Sequence, residues 1–256
     1  MTSAIPDLSA DLLLAVRSGD REGAERLAAD INGLDPSRLA ESLSSDAARI
    51  ATWLNLYNAA TQRMVEADPV SYTHRVRFFR RPAIAAAGQT LSLDAIEHGL
   101  LRRSRWKVGL GWLGNPIPSR FERRFRVDIV DPRIHFALNC AAASCPPIAA
   151  YDATRLDAQL DLATRSFLAA AVDRQGDRLL VPRIFLWFMG DFGGLRGVRR
   201  FLADHGTDPG AGRLRFARFD WAPLPAAWAP PDGMPGSTGH TGDREPDTDP
   251  VAGSTP

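Results

Sequence analysis

The segment from Ser45 to Ala67 constrains the fold most strongly, because its apolar residues recur at intervals of three and four. This spacing lines one face of an α-helix. Asn58 lies at the flank of that face and Asn55 lies further round, while Asp68 and the following proline end the helix. The face consists of Ile50, Trp53, Leu54, Tyr57, Thr61, Met64 and Val65.

Composition narrows the class of protein. With 256 residues and 45% hydrophobic content, the chain can bury a full core. The 31 basic and 30 acidic residues nearly cancel, so no net field attracts nucleic acid or an anionic membrane, and neither is expected as a partner. The chain shows no cationic leader and no uninterrupted apolar stretch of about 18 residues, which favours a soluble, cytoplasmic protein.

We expect three regions along the chain. Residues 1–44 contain two short helical patterns and are interpreted as a helical N-terminal extension. Residues 45–222 form a single domain. Residues 223–256 are rich in Pro, Gly, Ser, Thr and Asp, and we expect them to be disordered because they offer too little apolar surface to offset the entropy of ordering.

Short strands and helices alternate within the central domain. A strand at "QTLS" leads into a helix capped by Ser92, in which Glu97 falls on the apolar face and His98 falls well off it. Residues 107–119 form a loop, and "IHFAL" has the length and apolarity of a buried strand. Further helices start near Asp152 and Leu195, and "RLRFARFD" is a strand candidate. The pattern predicts an α+β fold with helices on a small antiparallel sheet.

Two basic stretches interleave Arg with Phe, one at Arg75–Arg81 and one at Arg120–Arg126. Such a pattern could grip a polyanion. Arginine also covers apolar surface with its stem while its guanidinium stays in water, and this structural interpretation is favoured.

Both cysteines lie in "NCAAASCPP", directly after the predicted strand. Their C-x4-C spacing differs from the C-x2-C spacing of zinc knuckles and dithiol redox sites. A free cysteine is often buried as a small hydrophobe, but two thiols in a turn at a strand end are also well placed to react. Cys140 and Cys145 are therefore rival candidates for a nucleophile.

A thiol nucleophile needs a base, and the base needs an orienting group. His135 can approach Cys145 if the chain reverses near Cys140, and His98 is an alternative base for Cys140. Glu97 is the candidate orienting group for His135, because a carboxylate directed at the core needs a partner. A salt bridge from Glu97 to an arginine explains its position equally well.

Four segments, "WLNLYNA", "LSLDAIEHGLLR", "DPRIHFALNCAAASCPPIAAYDATRLDAQLD" and "WFMGDFG", occur in this order. Together they resemble the family catalogued as domain of unknown function 547, over about residues 51–194. The resemblance implies a thiol hydrolase of papain-like or transglutaminase-like architecture, with Glu97, His135 and one cysteine as its centre. Plant relatives that keep only the first cysteine favour Cys140. Phe188 stands where relatives often carry Tyr.

The leading functional hypothesis is a cysteine-dependent hydrolase or acyl transferase acting on an amide, peptide or thioester. Cys140 would attack, His135 would carry the proton, Glu97 would orient the imidazole and Asn58 or backbone N–H groups would stabilise the oxyanion. A second hypothesis is a non-catalytic binding or scaffold domain that uses the loop from Trp106 to Pro116 and the Arg/Phe stretch as its contact surface. A third is a metal site built from the histidines and thiols. No cofactor motif is found, and no cofactor is expected.

Overall fold

The computed structural model describes residues 4–225 and 227–229 and has a helix-rich α+β fold, which confirms the predicted class. The α-helices are α1 (Ile5–Ser18), α2 (Arg21–Asn32), α3 (Pro36–Ser42), α4 (Asp46–Ala67), α5 (Arg75–Arg80), α6 (Arg120–Phe125), α7 (Leu156–Ala171), α8 (Ile184–Trp187) and α9 (Gly194–Asp204). The strands are β1 (Pro82–Ala86), β2 (Gln89–Ser92), β3 (Asp173–Gln175), β4 (Arg178–Val181) and β5 (Arg213–Phe216). Two 3₁₀-helices span Pro69–Thr73 and Pro132–Phe136, and a π-helix spans Ala95–Leu101.

Helix α4 lies at the centre of the fold. Ser45 caps it, since its Oγ accepts a hydrogen bond from the backbone N–H of Ala48 at 3.2 Å. The sequence predicted one apolar face, but the helix is buried on nearly all sides, including Asn55 and Asn58. The indole Nε1 of Trp53 donates to a backbone carbonyl of α6 at 3.0 Å. A helix buried all round must satisfy its own polar side chains within the core.

Helices α1 to α3 belong to the same core as α4. Leu12 and Leu13 of α1, Ile31 of α2 and Leu39 of α3 are fully buried in one hydrophobic cluster with Trp53. The expected boundary after residue 44 therefore does not separate two cores, and the N-terminal helices are integral to the domain.

The strands of the described residues form two small sheets. β1 and β2 pair as an antiparallel hairpin. In the second sheet β3 pairs antiparallel with β4, whereas β4 pairs parallel with β5. The predicted small antiparallel sheet is present as the β1–β2 hairpin, and the second sheet is mixed. The helices α8 and α9 lie between β4 and β5 in the chain and provide the crossover that a parallel pair requires.

The segment "IHFAL", predicted as a strand, is largely a 3₁₀-helix. Asp131 caps it by accepting the backbone N–H of Arg133 at 2.9 Å, and Pro132 occupies its first turn. Short apolar runs do not distinguish a strand from a buried helical turn by periodicity alone, which explains the error.

This 3₁₀-helix joins two hydrophobic clusters. Ile134 packs in the cluster around α4, and Phe136 packs in a second, phenylalanine-rich cluster with Phe185 and Phe201. Three residues complete one 3₁₀ turn, so three successive side chains point in three directions. His135 is consequently held at the junction between the clusters.

The start of the expected disordered tail is ordered. The backbone N–H of Leu224 donates to the carbonyl of Ala141 at 2.8 Å, and that of Ile148 donates to the carbonyl of Ala227 at 2.7 Å. Residues 220–229, apart from 226, thus hold the cysteine-bearing segment in place. The rest of the predicted tail lies outside the described residues.

The interleaved Arg and Phe residues have the structural role that was favoured. Phe78 and Phe79 of α5 and Phe125 of α6 are buried, while Arg77 and Arg124 of the same helices are exposed. The phenylalanines fill the core and the arginines cover its edge.

Candidate functional site

A cavity of about 470 Å³ lies where the two hydrophobic clusters meet. Its volume is within the range of small-molecule sites. Aromatic rings line much of it, namely Phe79, Trp187, Phe188, Phe219 and Trp221. The polar residues that reach it include Tyr57, Glu97, His98, His135, Cys140 and Cys145.

His135 is held at the cavity by a carboxylate that the sequence did not assign to it. Its Nε2 lies 2.9 Å from Oδ2 of Asp191, and its ring stacks on Phe188 with centroids 4.0 Å apart. Burial lowers the pKa of His135, although Asp191 opposes that shift. The neutral ring donates its Nε2 proton to the carboxylate, so Nδ1 carries the lone pair.

Asp191 also forms a buried ion pair with Arg102. The guanidinium Nε and Nη2 lie 2.6 and 3.1 Å from the two carboxylate oxygens, and both side chains are fully inaccessible to solvent. Burial works against ionisation, but hydrogen bonds from His135 and Arg102 outweigh it and lower the pKa of Asp191 to about 2. Asp191 is therefore a carboxylate at neutral pH.

The glycine before Asp191 fixes its position. Gly190 donates its N–H to the carbonyl of Leu110 at 2.7 Å, and a Cβ at this position would lie 2.5 Å from the carbonyl carbon of Gly111. The loop 107–119 therefore docks directly on the "GDFGG" turn. From the sequence, only Glu97 was considered as the carboxylate partner of His135, and the glycine directly before Asp191 is the signal in the sequence for a close backbone approach.

His98 reaches the cavity although the sequence placed it off the apolar face. The helix that carries it is a π-helix, in which the N–H of Arg102 donates to the carbonyl of Glu97 at 2.9 Å, five residues back. Each residue then turns the chain by less than the 100° of an α-helix, which keeps residues 97 and 98 on one side. His98 is 8% exposed, and burial together with Arg102 lowers its pKa to about 3.

Glu97 lines the cavity but forms no hydrogen bond to His135 in the part of the chain that the structure describes. Its carboxylate lies 3.5 Å from the Tyr57 hydroxyl and 3.7 Å from Nδ1 of His98. The expected orienting bond is made by Asp191 instead, since Asp191 comes from the turn packed against the 3₁₀-helix. The arginine salt bridge that was the other interpretation of Glu97 is also not formed among these residues.

The two thiols are in contact with each other. The backbone N–H of Cys140 donates to Sγ of Cys145 at 3.1 Å. A hydrogen bond to the Cys145 sulfur, followed by burial, raises the pKa of Cys140. Burial also opposes ionisation of Cys145, but hydrogen bonds from the Cys140 thiol and from backbone N–H groups lower its pKa. Cys145 is thus the thiol that ionises first.

Neither sulfur forms a hydrogen bond to a histidine among residues 4–225 and 227–229. His135 and both thiols line the same cavity. The negative charge of Glu97 disfavours the thiolate form of both cysteines and so works against a low thiol pKa. Glu97 therefore does not activate either thiol.

Asn58 is engaged in backbone contacts behind the site. Its side-chain amide donates to the carbonyl of Ala137 at 3.1 Å and accepts the N–H of Asn139 at 2.9 Å. Asn55 makes the same pair of bonds to the backbone of Tyr151. The amide group of Asn58 therefore fixes the path of the chain on either side of Leu138, and its donor is not directed at the cavity as an oxyanion contact.

The described residues contain no group of three or more His, Cys, Asp or Glu side chains able to hold a metal ion. His135 and His98 each use one ring nitrogen on the Asp191–Arg102 pair. Within the same part of the chain no helix has the length and apolarity to cross a membrane.

Comparison with known proteins gives one match. The model of the family described as "Protein of unknown function, DUF547" matches residues 40–168, about half of the chain. That range starts earlier than the resemblance suggested and includes Glu97, His135 and both cysteines, but it stops before Asp191. No curated protein and no solved structure matches the chain. The chain therefore belongs to the DUF547 family of proteins of unknown function.

Proposed function

We propose that this protein is a cysteine-dependent hydrolase or acyl transferase acting on an amide, peptide or thioester bond. The observation that carries the proposal is the shared cavity: a thiol with a lowered pKa lines the same 470 Å³ space as a histidine bound to a buried carboxylate. Nucleophile, base and orienting group are the set that acyl transfer requires. The papain-like architecture implied by the resemblance is part of this proposal.

Cys145 is the proposed nucleophile, in place of Cys140. Its sulfur accepts the N–H of Cys140 and the Cys140 thiol proton, and both interactions stabilise negative charge on sulfur. Cys140 acts as the donor that holds this thiolate. Plant relatives that keep only the first cysteine favour Cys140 as the nucleophile instead.

The reaction proceeds in two balanced steps. Nδ1 of His135 takes the thiol proton of Cys145, the sulfur forms a bond to the acyl carbon, and the bond from that carbon to the leaving nitrogen or sulfur breaks as His135 gives this proton to the leaving group. Water or another acceptor then attacks the acyl-enzyme while Nδ1 of His135 takes its proton, the carbon–sulfur bond breaks, and His135 returns the proton to the Cys145 sulfur. Catalytic hydrogen bonds commonly shorten only when substrate is bound, so His135 need not contact sulfur in the empty cavity.

Labelling with an aromatic p-nitrophenyl ester tests the proposal. We expect the wild type to release nitrophenol and retain the acyl group, Cys145→Ala to retain none, and Cys140→Ala to react more slowly because Cys145 loses its S–H donor. His135→Gln should slow acylation while leaving the fold intact by circular dichroism. Labelling that survives in Cys145→Ala and disappears in Cys140→Ala would transfer the nucleophile role to Cys140, and an unlabelled wild type would contradict thiol catalysis.

A non-catalytic binding domain is the second candidate, and one observation favours it. Val108 and Trp112 are 68% and 59% exposed on the loop whose residues 107–110 line the cavity. Exposed apolar side chains beside a cavity are typical of a binding surface. This candidate predicts ordinary thiol reactivity, so the nitrophenyl ester distinguishes the two functions.

A further inference from the structure

The proton position on His98 follows from its partner. Nη1 of Arg102 lies 2.9 Å from Nδ1 of His98, and a guanidinium can only donate. Nδ1 is therefore the acceptor, and the neutral ring carries its proton on Nε2.

This Nε2–H group is buried without a hydrogen-bond partner among the described residues. The nearest carboxylate oxygen, Oδ1 of Asp94, is 3.8 Å away and is already bound by Lys107 at 2.8 Å. Buried donors are seldom left unpaired, because doing so costs about 1–3 kcal/mol. His98, Asp94 and Lys107 all line the cavity, so this buried donor belongs to a side chain in the cavity wall.

Glu97 supplies an acceptor beside this donor. Its side chain is 16% exposed, and no Lys or Arg in the described part of the chain lies within 4 Å of its carboxylate. The contact with His98 is not an ion pair, because Nδ1 carries no proton. The hydroxyl of Tyr57 at 3.5 Å is at the limit of a hydrogen bond, which leaves lone pairs of the carboxylate available.

We propose that His98 and Glu97 bind the amide group of an aromatic or apolar amide ligand in this cavity. Nε2–H of His98 donates to the carbonyl oxygen, Glu97 accepts the ligand N–H, and the rings of Trp187 and Phe188 pack on the ligand body. The inference rests on the proposed function and narrows it, since an ester or thioester has no N–H to offer Glu97. A site with buried polar groups rejects a ligand that leaves them unpaired.

Three ligands with the same ring test the two contacts separately. Phenylacetamide offers a carbonyl and an N–H, whereas N,N-dimethylphenylacetamide and methyl phenylacetate offer only the carbonyl. Binding is measured by ligand-observed NMR on the Cys145→Ala variant, so that turnover plays no part. We expect phenylacetamide to bind about tenfold more tightly than either of the others.

Two variants assign the contacts to their residues. Glu97→Leu should remove the preference for phenylacetamide and leave the other two ligands unchanged. His98→Asn keeps an oxygen where Nδ1 accepts from Arg102 but has no donor at Nε2, so it should weaken all three ligands by a similar factor of about three to ten. His98→Gln, which places an amide N–H near the position of Nε2, should recover part of that loss.

An additional readout does not depend on any variant. Nitrogen-15 NMR of the histidine rings in the unsubstituted chain should show His98 protonated on Nε2, and phenylacetamide should shift that resonance. Equal affinities for the three ligands, or an Nδ1–H ring, would overturn the proposal. A failure of the nitrophenyl ester to acylate Cys145 even at a saturating concentration would instead refute the catalytic function and leave this binding result standing.

Discussion

The two cavity histidines lie at opposite ends of one buried ion pair and are bound in opposite ways. His135 meets the carboxylate of Asp191 through Nε2, whereas His98 meets the guanidinium of Arg102 through Nδ1. A carboxylate can only accept and a guanidinium can only donate. The free nitrogen of His135, Nδ1, therefore carries a lone pair. The free nitrogen of His98, Nε2, carries a proton. One ion pair thus prepares a base on one side of the cavity and a hydrogen-bond donor on the other.

This difference explains why His98, the alternative base considered from the sequence, is unsuited to that role. Its lone pair is occupied by Arg102, and its pKa is lowered to about 3 by burial and by that guanidinium. Of the two cavity histidines, His135 is the one whose neutral ring keeps an unoccupied lone pair.

Breaking the shared ion pair should have the largest effect. Asp191→Ala leaves the Arg102 charge buried without its carboxylate and removes the acceptor of His135. We expect a loss of about 3–5 kcal/mol in the free energy of unfolding, measured by urea denaturation. Asp68→Ala is the matched control, because its pair with Arg81 is partly exposed and its loss should be much smaller. Equal losses in the two variants would show that the buried pair is not a structural centre.

The free energy of unfolding should depend on pH differently through His98 and through Asp191. The pKa of folded His98 is about 3 and its ordinary value is 6.5, so the unfolded chain binds more protons between these values. The contribution of His98 to the free energy of unfolding is therefore fully present above pH 6.5 and is lost as the pH drops towards 3. The contribution of Asp191 is lost lower, as the pH falls from 3.8 to about 2.

The His98→Asn variant isolates one part of this profile. It should reduce the slope between pH 6 and pH 4 by up to about 1 kcal/mol per pH unit, while the Asp191 transition stays in place. Urea denaturation at a series of pH values measures both. An unchanged slope would show that His98 protonates as readily in the folded chain as in the unfolded one.

The smallest effect on stability is expected from substitution of Phe188, whose ring contacts both His135 and Arg102. Phe188 stacks on His135 at 4.0 Å, and its centroid lies 4.5 Å from Cζ of Arg102. Phe188→Leu should cost about 1 kcal/mol by removing both contacts, with Phe188→Tyr as the conservative control. Thermal unfolding of the two variants measures the difference. A loss of stability in Phe188→Leu as large as that in Asp191→Ala would mean that the ring, rather than the ion pair, organises the site.

Local signals in the chain were sufficient to locate the central helix and to select several of the polar side chains that line the cavity. The Ser45 cap and the three-and-four spacing located α4, and Ser92 caps the turn before the π-helix as expected, accepting the N–H of Ala95 at 3.1 Å. Glu97, His135 and both thiols line one cavity, although they are up to 48 positions apart in sequence. The local backbone conformation was predicted wrongly in two places. Residues 132–136 form a 3₁₀-helix where a strand was predicted, and a π-helix brings His98 to the cavity.

The sequence by itself determined where the central helix begins and which polar side chains are present near the cavity, because caps, apolar spacing and residue type act over a few positions. Only the tertiary structure decided the pairing of those side chains. Asp191 reaches His135 across 56 positions because Gly190 lets its turn approach the loop at Gly111, and that contact displaced Glu97 from the role expected for it. The proton position on each histidine follows from those partners, which no local pattern specifies.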